Sequence, residues 1–229
     1  MKKEKIIAAS NILNRDFYLD YFATSENAPF LIMYYGGSGV DRDKYVERSK
    51  TIIPIFDQYF FQLKQELDFS FCYISSPPDI NIIKFENSGD EVERWFEHIE
   101  SEVMPLLPDL PFYFIGYSGG IALATCGIHL SDRCFGGGAL GGDQLPDDLE
   151  TGCFWKEPLA LYYNLSDLVY QKNESVINEL QADEIVYCYR RLPGTHNIQD
   201  YLVNESFSGQ IRRAGRLFAD SAKKNFTGS

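Results

Sequence analysis

The sequence predicts an α/β domain with a mostly parallel central sheet flanked by helices, and three observations predict it. Short apolar runs rich in β-branched and aromatic residues alternate with helical patterns, as βαβ units require. Glycines sit singly or in short clusters beside those runs, where turns belong. No Gly/Ser linker, low-complexity tract or repeat divides the 229 residues, of which 45% are hydrophobic, so residues 1–229 are read as one domain.

The elements follow in chain order. The opening "KIIAASNILNRDFYLDYFATS" predicts an antiparallel edge pair. Strands are expected near 29–35 (PFLIMYY), 69–74 (FSFCYI), 111–117 (PFYFIGY), 133–140 (RCFGGGAL), 158–164 (PLALYYN) and 184–190 (EIVYCYR). Helices are expected over 43–65, 90–104, 119–130, 172–181 and 197–220. In the second, Val92, Trp95, Phe96, Ile99 and Val103 form one apolar stripe, with Glu91, Glu93, Glu97 and Glu100 away from it. That stripe is core, and His98, off it on the flank, is expected to be solvated.

Composition narrows the partners. A net charge of −12 with a pI of about 4.7 repels phosphate backbones and anionic membranes, which argues against nucleic acid. No apolar stretch approaches the roughly 18 residues of a membrane span, and "MKKEKIIAAS" leads into too short an apolar run for a secretory signal. The five cysteines, Cys72, Cys126, Cys134, Cys153 and Cys188, are odd in number and contain no CxxC pair, which points to reduced thiols in a cytoplasmic setting. No HExxH, His/Cys cluster, Walker loop or dinucleotide fingerprint appears, so neither metal nor cofactor is expected.

The chemistry centres on Gly116-Tyr117-Ser118-Gly119-Gly120. A GxSxG arises by composition alone in roughly a tenth of chains this long. Here it closes a strand pattern and opens a helix pattern, the setting of a nucleophile elbow: small neighbours let the chain turn sharply and push the serine Oγ out of the sheet edge. A serine hydroxyl needs a base. His129 lies about 16 Å along the same predicted helix. His196 emerges instead at the end of a strand, in "YRRLPGTHNIQ", where it is either that base or a cap of the final helix. Two acids compete to orient it: Asp167, after the strand at 158–164, and Asp143, in the acidic loop after the preceding strand. Oxyanion donors would be the Gly119 amide and the "GGSG" loop, with Gly37 and Ser38 at its centre, unless that loop is only a turn before the helix at 43–65. Gly37, Ser118, Asp167 and His196 all follow strands at their carboxyl ends, the edge where open α/β sheets bind ligands.

On the elbow "GYSGG", the glycine-rich loop after an earlier strand and the order Ser118, Asp167, His196, the chain resembles the α/β-hydrolase superfamily over roughly residues 28–200. Tyr35 stands where many lipases and esterases carry a histidine, and Asn164 where a glycine often opens the turn to the acid. The resemblance implies a Ser-His-Asp acyl-enzyme hydrolase acting on a small carboxylic ester or thioester, carboxylesterase-like, with a short 141–157 segment in place of a lid. Its acidic residues would repel anionic substrates. Tyr35, Tyr117, Phe154 and Trp155 are expected to line the substrate, although Trp155 would equally pin its loop to the core. The competing expectation is a binding or sensing protein that keeps the fold without useful turnover.

Overall fold

The computed structural model describes residues 2–12, 14–36, 42–75, 97–118, 120, 131–141, 159–164 and 186–227. In chain order they form β1 (Lys2–Ser10), β2 (Arg15–Ala23), β3 (Leu31–Gly36), α1 (Arg42–Leu63) and β4 (Ser70–Ser75). A π-helical turn (Ile99–Val103) running into a 3₁₀ turn (Met104–Leu106) follows, then β5 (Phe112–Tyr117), β6 (Cys134–Leu140), β7 (Leu159–Asn164), β8 (Val186–Leu192), α2 (Ile198–Val203) and α3 (Ser206–Thr227). All six expected later strands are present, within two residues at each end. The expected helices at 119–130, beyond Gly120, and at 172–181 lie outside the described residues, as does most of the short segment at 141–157.

The strands build one eight-stranded sheet in the order β1-β2-β4-β3-β5-β6-β7-β8. β3 through β8 are parallel, while β2 pairs antiparallel with both β1 and β4. From β3 the chain winds outward to β4, then crosses back to β5 on the other side. The crevice between β3 and β5 is therefore the topological switch point, and β5 delivers Ser118 to it.

Strand alternation sorts the core onto two faces. Ile32 and Tyr34 of β3 join Tyr113 and Ile115 of β5 against Phe56 and Phe60 of α1 and Phe207 and Ile211 of α3. Leu31, Met33 and Tyr35 join Phe112 and Phe114 on the opposite face, against Ile99 and Val103. Those two stripe residues are buried as expected. The first face is dense in rings: Phe60 and Phe71 lie 4.6 Å apart, Phe56 and Phe207 5.0 Å, Tyr34 and Tyr73 5.4 Å. Each such side chain contributes about 1.5–3 kcal/mol by leaving water, so the strand ends stand on a closely packed platform.

The glycine run in β6 has a packing reason. Gln210 of α3 donates from Nε2 to the Ala160 carbonyl at 2.9 Å, and its Oε1 lies 2.8 Å from the Tyr113 hydroxyl. A Cβ at Gly138 would sit 2.1 Å from that Oε1. One buried amide thus ties α3 across β5, β6 and β7, and only a residue without a side chain admits it.

Two expectations are corrected. The helix expected over 197–220 is two helices, because the chain breaks at Asn204–Glu205. The Asn204 Oδ1 accepts from the Ser206 amide at 3.1 Å and the Ser206 hydroxyl at 2.6 Å, capping α3, while Glu205 takes the left-handed conformation at φ 65°. His98, expected to be solvated, is 1% exposed. The β1–β2 hairpin folds over it, with Phe17 edge-on at 4.7 Å and Ser10 Oγ 3.2 Å from its Nδ1. A cover from a distant strand pair leaves no mark on a helical periodicity.

Candidate active site

At the carboxyl end of β5 the backbone turns sharply at Ser118, which holds φ 51°, a left-handed conformation that costs a residue with a Cβ. The Ser118 amide donates to the Leu140 carbonyl at 3.0 Å, fastening the turn to β6. Behind it the chain passes so close to β3 that a Cβ at Gly120 would lie 2.6 Å from the Tyr35 carbonyl oxygen. Gly120 is thus needed for the approach, and the strained serine is held between two strands.

His196 arrives from β8 through Pro193, Gly194 and Thr195. Its Nε2 lies 3.0 Å from the Ser118 Oγ, although the two residues are 78 positions apart. The loop that carries it is tied on both sides. The Thr195 amide and hydroxyl donate to the Asp200 carboxylate at 2.7 and 2.8 Å, and the Asn204 Nδ2 donates to the Pro193 carbonyl at 2.9 Å. The bonds from Thr195, backbone first and then side chain, hold the Asp200 carboxyl below the usual carboxylate range. The cap of α2 is Asn197, whose Oδ1 accepts from the Gln199 amide at 3.0 Å, so the capping role considered for His196 belongs to its neighbour.

Tyr117, directly before the serine, completes the arrangement. Its hydroxyl donates to the His196 carbonyl at 2.7 Å, and its ring stacks on the imidazole with centroids 5.4 Å apart and planes 25° off parallel. Tyr201, fully buried on α2, meets the Tyr117 ring at 5.9 Å and 62°. Tyr117 was expected to line the substrate; the contacts described for it are with His196 and Tyr201.

The structure thus brings together Ser118 and His196, with Tyr117 against the histidine. Tyr35 departs from its expected role: its ring is fully buried among Met33, Ile74 and Phe114, so it lines no open cleft, and its backbone carbonyl and Cβ back the elbow at Gly120. Burial follows from strand alternation, which turns residue 35 to the face opposite Tyr34. Gly37, Ser38, Gly119, Asp143, Asp167, Phe154 and Trp155 lie outside the described residues, as does His129. The sequence reading missed Asn197, Asp200 and Tyr201; an Asn with an acid three residues later, just before the apolar pair Tyr201–Leu202, is the helix-start signal that marks the first two. Among the described residues no group of three His, Cys, Asp or Glu side chains is placed to hold a metal, and no helix is long and apolar enough to cross a membrane.

No family model and no curated protein sequence matches the chain. Solved structures do. A ferulic acid esterase superposes with a TM-score of 0.68 at 12% identity, over 95% of this chain and 98% of that one. An S-formylglutathione hydrolase from Staphylococcus aureus gives 0.59 at 13% identity, over 92% and 96%. The enterobactin esterase of Shigella flexneri gives 0.69 at 13% identity, over 95% of this chain and 60% of that one. With its mostly parallel sheet, its antiparallel edge pair and these serine hydrolase and esterase neighbours, the chain has the α/β-hydrolase fold.

Proposed function

We propose that the protein is a serine hydrolase of the esterase type, cleaving a small, uncharged carboxylic ester or thioester. The observation that carries this is the 3.0 Å approach of the His196 Nε2 to the Ser118 Oγ on a strained turn at the switch point of the sheet. That geometry is what a weak nucleophile requires of its base. The activities for which the neighbours are named, two ester cleavages and one thioester cleavage, support the same bond class.

Ser118 attacks the substrate carbonyl while His196 Nε2 takes the hydroxyl proton. The tetrahedral intermediate collapses, and the leaving alcohol or thiol departs with that proton. Water then attacks the acyl-serine, its proton passing to His196 and on to the Ser118 oxygen as the acid is released. Asp167 is the proposed orienting acid, with Asp143 the alternative. The amides of Gly119 and of the Gly37–Ser38 loop are the proposed oxyanion donors.

A fluorophosphonate probe tests the reading. Wild-type protein is expected to be labelled at Ser118, and Ser118→Ala and His196→Ala are expected not to be. Folded wild-type protein that resists the probe would overturn the proposal in favour of a binding protein on a hydrolase fold. A nitrophenyl ester series with best turnover at long acyl chains would overturn the small-substrate part alone.

A further inference from the structure

We infer that Tyr117 is a positioning residue for His196, through which the nucleophile's own strand sets the orientation of the base; this rests on the hydrolase reading above. Tyr117 makes two contacts with one residue. Its hydroxyl fixes the His196 main chain through the carbonyl at 2.7 Å, and its ring lies against the imidazole face at 5.4 Å and 25°. Together they remove the two freedoms an imidazole on a loop would retain, displacement of its backbone and rotation of its ring. Tyr201 packs edge-on against Tyr117 from α2 and holds the tyrosine ring in turn.

The location matters as much as the contacts. Tyr117 and Ser118 are consecutive, so any shift of the end of β5 carries nucleophile and base support together and leaves the 3.0 Å separation intact. A support on another element would leave that distance exposed to relative motion. The ring also presents its electron-rich face to the imidazole, which favours the cation formed when His196 takes the serine proton.

Tyr117→Phe removes the hydroxyl and keeps the ring; Tyr117→Leu removes both. The readout is fluorophosphonate inactivation kinetics, separating the limiting rate from the half-saturating probe concentration. Tyr117→Phe is expected to lower the limiting rate about threefold to tenfold, the scale of one hydrogen bond, with half-saturation unchanged. Tyr117→Leu is expected to lower it about tenfold to a hundredfold, again with half-saturation unchanged, as the stacked face is lost as well. Partial recovery in the Phe variant relative to Leu separates ring from hydroxyl. Limiting rates equal to wild type in Tyr117→Phe and Tyr117→Leu would overturn the inference while leaving the hydrolase reading standing. Should Tyr117→Leu fail to fold, an unchanged limiting rate in Tyr117→Phe alone would overturn it. Wild-type protein that is never labelled would overturn both.

Discussion

Among the described residues two serine–histidine pairs occur, and their geometries differ. Ser118 meets the Nε2 of His196, on a half-buried loop at the strand ends, with Tyr117 stacked on the ring. Ser10, by contrast, lies 3.2 Å from the Nδ1 of His98, and that same nitrogen lies 2.7 Å from Glu102 Oε2. The Ser10 hydroxyl donates to Glu102 as well, and the carboxylate goes on to accept from the Asn11 and Ile12 amides at 2.7 and 3.3 Å. Ser10 therefore spends its proton on an acid, and His98 offers one nitrogen to both partners. In a relay the two nitrogens divide that work. Ser10, His98 and Glu102 form a fastener that clips the β1–β2 hairpin to the π-helical turn. Residue types do not distinguish the pairs; which nitrogen faces the serine does.

The sharpest way to break the comparison is to remove each serine's partner in turn. Ser118→Ala or His196→Ala is expected to lower ester turnover by about 10³–10⁴-fold, some 4–5.5 kcal/mol of barrier, with little change in melting temperature. Turnover with nitrophenyl acetate and calorimetry on the same samples check both halves. A variant at His196 that lost stability as steeply as activity would make the two pairs alike.

The turn that holds Ser118 is the next target. Gly120→Ala would place a methyl group 2.6 Å from the Tyr35 carbonyl, where neither backbone can yield freely. The expected cost is about 3 kcal/mol of stability, with loss of fluorophosphonate labelling in whatever remains folded. Urea titration together with labelling reads both, and a labelled, fully stable variant would show that the elbow does not depend on this approach.

At the fastener the expectation reverses. Glu102→Gln is expected to cost about 2 kcal/mol, the scale of hydrogen bonds to a charged acceptor, and to leave the labelling rate at Ser118 unchanged. Burial pushes the Glu102 carboxyl upward, but bonds from Ser10, His98 and the Asn11 and Ile12 amides outweigh it and bring it down to about 2. A depressed folded value means that its contribution is complete above the ordinary 4.5 and is lost as pH falls toward 2. Burial likewise lowers His98, against the pull of Glu102, so its contribution fades as pH falls below 6.5. The difference in unfolding free energy between wild type and Glu102→Gln is therefore expected to shrink between pH 5 and pH 2. A difference independent of pH would mean that the carboxylate charge has no part in the clip.

The two pairs also mark what a sequence can disclose. The six parallel strands were legible because burial on both faces writes continuous apolar runs such as "FLIMYY", and the elbow because its glycines are packed into five residues. His196 was legible from its position after a strand. What stayed hidden depends on partners far along the chain: the hairpin over His98, 88 positions from Ser10, and the stacking of Tyr117 on His196, 79 positions apart. The break at Asn204 was hidden differently, since its amide resolves a local competition that periodicity averages over. Tyr35 was misplaced because sequence alone does not say which face of β3 meets the site.

The smallest expected effect bears on the loop that carries His196. Asn197→Ala removes the cap that accepts from the Gln199 amide, and such caps are worth about 1 kcal/mol. Thr195, Pro193 and the His196 carbonyl keep their own ties to Asp200, Asn204 and Tyr117, so the loop should loosen without detaching. At the fastener a loss of this size would appear only as stability. Here it should also appear as a twofold to threefold slower labelling of Ser118, because a proton transfer over 3.0 Å is sensitive to small displacements of the base. Labelling kinetics and thermal denaturation on Asn197→Ala measure both. A slower rate with a wild-type melting temperature would place the cap's role in holding the histidine, and a lower melting temperature with a wild-type rate would show that the three remaining ties suffice.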